Sequence, residues 1–305
     1  MNEAQIQSFW GAHPCGEHFV AGADDVGYEA FFEAYDRFRY EQEAHIPGCL
    51  DNVAFDDRDV LEVGLGLGAD SEQIIKRGGR WTGVDLTAES VDRVRTRLQL
   101  RKLPYDRLVQ ASVLELPFPE NSFDVVFSHG VLHHVPEIGQ AQRELARVLR
   151  PGGELVIMLY AKYSLNYLVS IGVVRRLGLG VMYALDRVGF RFDGVFGRHL
   201  ENARRVGLPR YLAMRNFVHR NTDGPDNPYS KVYSLAEVRR DFPSFRVLRA
   251  QKEYMHAPPM PVDRLGLARV AGWHLWVHMQ PVCDASALDA VDSSPITSAT
   301  PTRSF

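Results

Sequence analysis

A short apolar run at residues 59–63 (DVLEV) passes straight into three closely spaced glycines, Gly64, Gly66 and Gly68. An amphipathic stretch follows over 70–77. This order constrains the fold more than any other feature of the chain. Glycines let a backbone turn sharply and approach a ligand where a Cβ would clash. Strand, glycine loop and helix together open a βαβ unit. The alternation continues downstream. Residues 81–85, 108–111, 123–128 and 154–160 read as strands, and 88–100 and 138–149 as helices. Strands separated by such helices imply right-handed crossovers and a mostly parallel sheet.

The remaining segments are read around this core. Residues 1–50 form a helical cap, with Phe31, Phe32, Tyr35 and Phe38 at helical spacing and a break at Pro47-Gly48. Residues 51–160 are the α/β core, and 161–230 a lid or substrate insertion. Residues 231–283 complete the sheet through a helix at 235–242 and strands at 245–254 and 273–279. Residues 284–305, rich in Ser, Thr, Ala and Pro, read as a disordered tail. Arg150-Pro151-Gly152-Gly153 is expected to stop the helix before the fifth strand.

At 305 residues the chain is long enough to bury a core without disulfides. Cys15, Cys49 and Cys283 are dispersed, with neither a CxxC nor a zinc spacing, so no metal site is expected. A net charge of −3 supplies no field for nucleic acid. The first residues lack a basic stretch before an apolar one, which points to a cytoplasmic location. The nearest approach to a spanning helix, 163–185, is interrupted by Arg175 and Arg176, so no stable span is expected.

About nineteen residues past Gly66, at the end of the second strand, stands Asp85. A carboxylate there can accept hydrogen bonds from both hydroxyls of a ribose. Gly64-x-Gly66-x-x-Ala69 satisfies the dinucleotide fingerprint. Glu62 argues the other way. An acid two residues before the first glycine suits a cationic amino group better than a pyrophosphate, and Gly68 crowds a third glycine into the loop.

Four segments taken together resemble the class I S-adenosylmethionine-dependent methyltransferases, within them the small-molecule group often labelled type 11. They are LEVGLGLGAD (61–70), TGVDLTAESV (82–91), LELPFPENSFDVVFSHGVLHHV (114–135) and LARVLRPGGELVIML (145–159). The resemblance covers residues 58–160. It implies a Rossmann-like, seven-stranded, mostly parallel sheet with an antiparallel last strand. It further implies S-adenosylmethionine as cofactor and S-adenosylhomocysteine as product. By that resemblance Glu62, Gly64, Leu65, Gly66 and Gly68 line the methionine and ribose side, Asp85 takes the ribose hydroxyls, and Leu86 packs on the adenine. Where the family often has an Asp for the adenine amino group, this chain has Ser112 and Val113.

Ser128 and His129, at the end of the fourth strand, are read as a wall of the methionine pocket. His133 is the candidate general base, and His134 is read as packing the following helix. Tyr35 and Arg39 share one helix face, where the arginine is equipped to clamp the methionine carboxylate bidentately. The alternative is a plain amphipathic helix with solvated arginines. Residues 163–220 hold ten arginines, three acids and no lysine, a formal +7 that leaves −10 for the other 247 residues. One reading is a lid that meets an anionic acceptor; another is peripheral contact with an anionic membrane; the plainest is a basic helical hairpin.

The sequence therefore points to methyl transfer onto a small, partly apolar or anionic metabolite. Three alternatives stay open: a dinucleotide-dependent dehydrogenase, a non-catalytic S-adenosylmethionine binder, and an enzyme that cuts S-adenosylmethionine to methylthioadenosine.

Overall fold

The structure, a computed structural model, describes residues 2–13, 27–262 and 264–282. Cys15, Cys283 and the tail at 284–305 lie outside the described residues.

Two helices come first. Helix α1 (Glu3–Ala12) starts at a capping box, in which the Asn2 side chain accepts from Gln5 N and Gln5 returns the bond. Helix α2 (Gly27–Gln42) buries Phe31, Phe32 and Tyr35. The short α3 (Ile46–Leu50) leads into β1 (Asp59–Val63). Then α4 (Ala69–Lys76), β2 (Arg80–Asp85), α5 (Ala88–Leu100), β3 (Arg107–Gln110) and β4 (Phe123–His129) alternate as the sequence pattern predicts. Helix α6 (Ile138–Val148) and β5 (Leu149–Tyr160) close this half.

Strand β5 begins earlier than expected. Leu149 already pairs with Phe123, and the register slips before Glu154 pairs with Val125. Pro151-Gly152-Gly153 is thus absorbed as an irregularity inside the strand, with Gly152 at φ 83°.

The insertion opens on a π-helical stretch, Asn166–Arg175, which runs unbroken into α7 (Arg176–Arg187). Helices α8 (Gly194–Val206), α9 (Leu208–Leu212) and α10 (Met214–Phe217) follow. Ile171, Leu179, Leu200, Tyr211 and Phe217 form a core of their own against Trp273. The helix continues through both arginines from 166 to 187, and by length and composition alone it is apolar enough to cross a membrane. Instead Arg175 ties it to the protein, donating to Pro258 O and Asn221 O.

Helix α11 (Leu235–Asp241), with its Ser234–Glu237 capping box, then leads to β6 (Phe245–Glu253), α12 (Ala268–Ala271) and β7 (His274–Pro281). The sheet order is β3-β2-β1-β4-β5-β7-β6. The first five strands are parallel, and β7 runs antiparallel between β5 and β6. Together with the helices this is the expected seven-stranded Rossmann-like architecture. Leu145 and Val148 of α6 and Val238 of α11 cover one face. Ile46, Leu50, Ile74, Val94 and Leu98 of α3, α4 and α5 cover the other.

Arg97 of α5 joins the N-terminal helices to this frame. Its side chain is buried among three elements. Its Nη2 donates to both oxygens of Asp36 in α2 at 2.7 and 2.6 Å, and its Nε to Glu72 of α4 at 3.0 Å. Nη1 reaches Leu67 O in the glycine loop, and the guanidinium lies 5.2 Å from the Phe32 ring centre. Removing one partner of such a buried group leaves uncompensated charge at a cost of about 3–5 kcal/mol. Arg97→Met, which keeps the volume but not the cation, should lose about that much in urea unfolding. A variant within about 1 kcal/mol of the parent would show that the network does not hold α2 in place.

Candidate functional site

The carboxyl ends of five strands form a row along one sheet edge. Ser112 and Val113 follow β3, Asp85 and Leu86 end β2, and Gly64 to Gly66 follow β1. His129 ends β4, and Tyr160 ends β5. At about 4.8 Å per strand, β3 and β4 stand roughly 14 Å apart. A cavity of about 180 Å³ follows this row, and all of these residues line it. Helix α1 lies over the β2–β3 end. Gln7 Nε2 donates to Leu86 O at 2.9 Å, and Ser112 Oγ donates to Glu3 Oε2 at 2.5 Å. Ile6 and Trp10 of α1 add apolar surface, and α2 brings Tyr35 and Arg39.

The glycine loop explains how the backbone reaches this edge. Gly64, Gly66 and Gly68 all take positive φ, at 80°, 51° and 76°. A Cβ on Gly64 would stand 2.1 Å from Val131 Cγ2, so both conformation and space demand glycine there. The loop turns its amides towards Asp85, whose Oδ2 accepts from Leu65 N at 2.8 Å. Oδ1 accepts from Thr87 N and Thr87 Oγ1 at 2.9 and 2.8 Å. Burial raises the Asp85 pKa, and these bonds work against it. The carboxylate is held rigid, with lone pairs left over for a diol.

The opposite end is a charged cluster. Glu62 is buried and accepts from Trp81 Nε1 at 2.7 Å. Asp70 Oδ2 receives Arg39 Nη2 at 2.7 Å and lies 2.6 Å from His129 Nδ1. Arg39 Nη1 also donates to Glu43 at 3.1 Å. Burial pushes Asp70 up, but Arg39 and His129 overcome it and hold the carboxyl well below the usual range. Glu62 goes the other way. Burial, reinforced by the charge of Asp70, pushes it up to about 8. Arg39 Nε, Asp70 Oδ1 and His129 Nε2 are buried without a hydrogen-bond partner among the described residues. Unpaired polar atoms are costly unless a polar group meets them. A nucleoside with a zwitterionic tail fits both ends: a diol acceptor at Asp85, and acidic and basic groups at Glu62, Arg39 and His129.

The structure thus brings Tyr35, Arg39, Glu62, Gly64, Leu65, Gly66, Asp85, Leu86, Ser112, Val113 and His129 to one cavity. Gly68, Ser128 and His133 are not in its lining. Gly68 is the N-cap of α4, packed against Val94 and Arg97. Ser128 is fully buried and donates to Val63 O at 2.9 Å. His133 is also fully buried, 3.9 Å from the Tyr160 ring centre, with burial pushing its pKa well down.

His134, read from sequence as a packing residue, lines the cavity instead. The two histidines sit on a short 3-10 turn, Leu132–His134, which sends neighbouring side chains in different directions. Arg39 does not present a free fork, because Asp70 and Glu43 hold it. None of the ten arginines of 163–220 lines the cavity, so the lid reading that brings them onto an anionic acceptor is not met there. Sequence reasoning missed Glu3, Trp10, Tyr160 and Asp223. Tyr160 ends a strand at the ligand edge and was open to prediction. The other three come from segments with no local signal.

Residues 61–157 match the methyltransferase domain family. The chain is 36% identical over 128 residues to the 27-O-demethylrifamycin SV methyltransferase of Amycolatopsis mediterranei, covering 40% of this chain and 47% of that protein. It is 38% identical over 145 residues to the phosphatidylethanolamine N-methyltransferase of Cereibacter sphaeroides, covering 47% and 64%. The chain thus spans less than two thirds of the length of these relatives. Among solved structures, a Pyrococcus horikoshii protein superposes with a TM-score of 0.52 at 14% identity, over 90% of this chain and 99% of that one. A Methanosarcina mazei S-adenosylmethionine-dependent methyltransferase gives 0.50 at 15% identity, over 78% and 98%. At such identities the superpositions speak for the fold.

Glu62 makes stability depend on pH. Its folded pKa of about 8 lies above the ordinary 4.5, so the folded state keeps a proton that the unfolded chain releases. Its contribution is complete below pH 4.5 and is lost as pH rises through 8. Glu62→Gln keeps an oxygen for Trp81 and removes the titration. The variant should gain melting temperature relative to the parent between pH 5 and pH 8.5 in thermal melts. Parallel curves across that range would show that Glu62 is ionised throughout.

Proposed function

From the premise that residues 61–157 belong to the class I S-adenosylmethionine-dependent methyltransferases, we propose that this chain transfers a methyl group to a small, partly apolar acceptor through a deprotonation at His134. The observation that carries the second half is the placement of His134 at the wall of the same cavity as Asp85.

S-adenosylmethionine supplies an already electrophilic methyl group on a sulfonium. The chain has to bind it, align it and keep water out. In this reading Asp85 accepts the ribose hydroxyls, while Leu86 and Val113 surround the base. Ionised Asp70 attracts the ammonium, whose arrival favours loss of the Glu62 proton, and Arg39 and His129 face the carboxylate. The glycine loop keeps side chains out of the path.

The acceptor end is built from other elements. His134 Nδ1 lies 2.7 Å from Tyr229 O and, facing a carbonyl, carries the proton. That leaves Nε2 to accept, 3.5 Å from Asp223 Oδ2. Asp223 Oδ1 in turn accepts from Tyr160 OH at 2.8 Å. An acceptor hydroxyl or amine can pass its proton to Nε2, and Asp223 then stabilises the imidazolium. Trp10, edge-on to His134 at 5.0 Å, and Ile6 give the acceptor an apolar wall. Tyr160 is itself held, stacked on Trp273 at 4.5 Å, so the relay sits on a rigid strand end.

The test separates cofactor from acceptor. Asp85→Ala should weaken S-adenosylhomocysteine binding at least about 100-fold in calorimetry, since two charge-assisted bonds are lost. His134→Asn should leave that binding unchanged and cut turnover about 100-fold or more. Turnover is followed by mass spectrometry of nucleoside products from S-adenosylmethionine and a metabolite extract. S-adenosylhomocysteine formed by the parent supports methyl transfer, and methylthioadenosine in its place would overturn it. Full activity of His134→Asn would remove the histidine from the mechanism.

A further inference from the structure

The insertion carries a surface that the cavity does not use. From the end of α7 into the first turns of α8 the chain reads Arg187-Val-Gly-Phe190-Arg191-Phe-Asp193-Gly-Val195-Phe196-Gly-Arg198. Four large apolar side chains at this tip face solvent, from 57% exposed for Phe196 to 74% for Val188. Leu177 and Val181, one turn apart on α7, extend the apolar row from the tip along the helix. Scattered exposed apolar residues are ordinary, but several within one short stretch of chain are a candidate docking surface.

Charge decides what the surface suits. Arg187, Arg191 and Arg198 are interleaved with the apolar residues, and all are exposed. Asp186 is taken up by Arg204 and lies 3.8 Å from Arg191. Glu201 and Asp226 are paired with Arg198. Asp193 is the remaining acid of the tip. The whole segment carries +7 against −10 for the rest of the chain. An anionic plane would attract this end and repel the other, which fixes an orientation as well as an affinity.

We propose that the α7–α8 hairpin docks this protein on an anionic lipid bilayer. Phe190 and Phe196 enter the interface, Val188 and Val195 follow, and Arg187 and Arg191 pair with lipid phosphates. Exposed apolar residues flanked by arginine are the composition of an interfacial anchor. A neutral apolar partner would offer no counter-charge to Arg187, or to Arg191, whose contact with Asp186 is long at 3.8 Å. The proposal goes beyond methyl transfer and does not depend on it.

The test is vesicle co-sedimentation of the full chain, with about 30% phosphatidylglycerol in phosphatidylcholine against phosphatidylcholine alone, at low and high salt. The parent should sediment with the anionic vesicles and much less with the neutral ones. Arg187→Gln with Arg191→Gln should lower partitioning about 30-fold, at roughly one phosphate-pairing charge each. Phe190→Ser with Phe196→Ser should lower it at least about tenfold. Both double variants should keep the parent's melting temperature and S-adenosylhomocysteine affinity, because these residues are exposed and remote from the cavity lining. Failure of the parent to sediment overturns the proposal, as does parent-like partitioning of either variant. A dimer in light scattering that the phenylalanine variant dissociates assigns the face to a second copy and overturns it too.

Discussion

The cation of Arg97 is the point at which the separate pieces of this protein meet. A guanidinium that deep in the fold must have all its donors satisfied. Here the partners come from α2, α4 and the glycine loop at once. The helix that closes the cavity is therefore tied to the loop that shapes it. Tyr35 and Arg39 reach the site because Asp36, on the same helix, is gripped by Arg97. The arrangement trades desolvation for specificity of position. An apolar contact would bury α2 as well, but it would not set the rotation of that helix.

The site built on this frame is divided by charge. At the β2 end one carboxylate is held by backbone amides and a threonine, which suits a neutral diol. At the β4 end two acids lie close enough to influence each other and respond oppositely. Asp70 is ionised by its contact with Arg39 and His129. Glu62 is pushed towards protonation by burial and by Asp70. A cationic group arriving beside them would relieve Glu62. A third group is separate again: Tyr160 donates to Asp223, which lies 3.5 Å from His134, beside apolar residues of α1. The insertion takes part in two places: Asp223 faces the cavity, while the α7–α8 tip carries its apolar residues out to solvent.

Much of this was legible along the chain. The strands, the glycine loop, Glu62 and Asp85 are local patterns: side-chain alternation and the steric freedom of glycine act over a few residues. The two late β runs were visible as strands, and their antiparallel closing of the sheet was implied by the family resemblance. The histidines show the limit. His133 and His134 differ by one position, and a single short turn buries one beneath Tyr160 and opens the other to the cavity. Arg39 shows another limit, because its helix and face were right while its partners, Asp70 and Glu43, took up the fork read as a carboxylate clamp.

The amino-acid sequence alone determined the α/β core, its order of strands and helices, and the carboxylate that stands at the end of β2. The tertiary structure decided the rest. It set Glu3 against Ser112, Trp10 against His134, and Asp223 beside Tyr160. It also raised Glu62 and lowered Asp70. The three contacts join residues 63 to 124 positions apart in the chain, and the fields on Glu62 and Asp70 come from groups 8 to 59 positions away. No local pattern encodes them, because desolvation and Coulomb interaction depend on distance in space and not along the backbone.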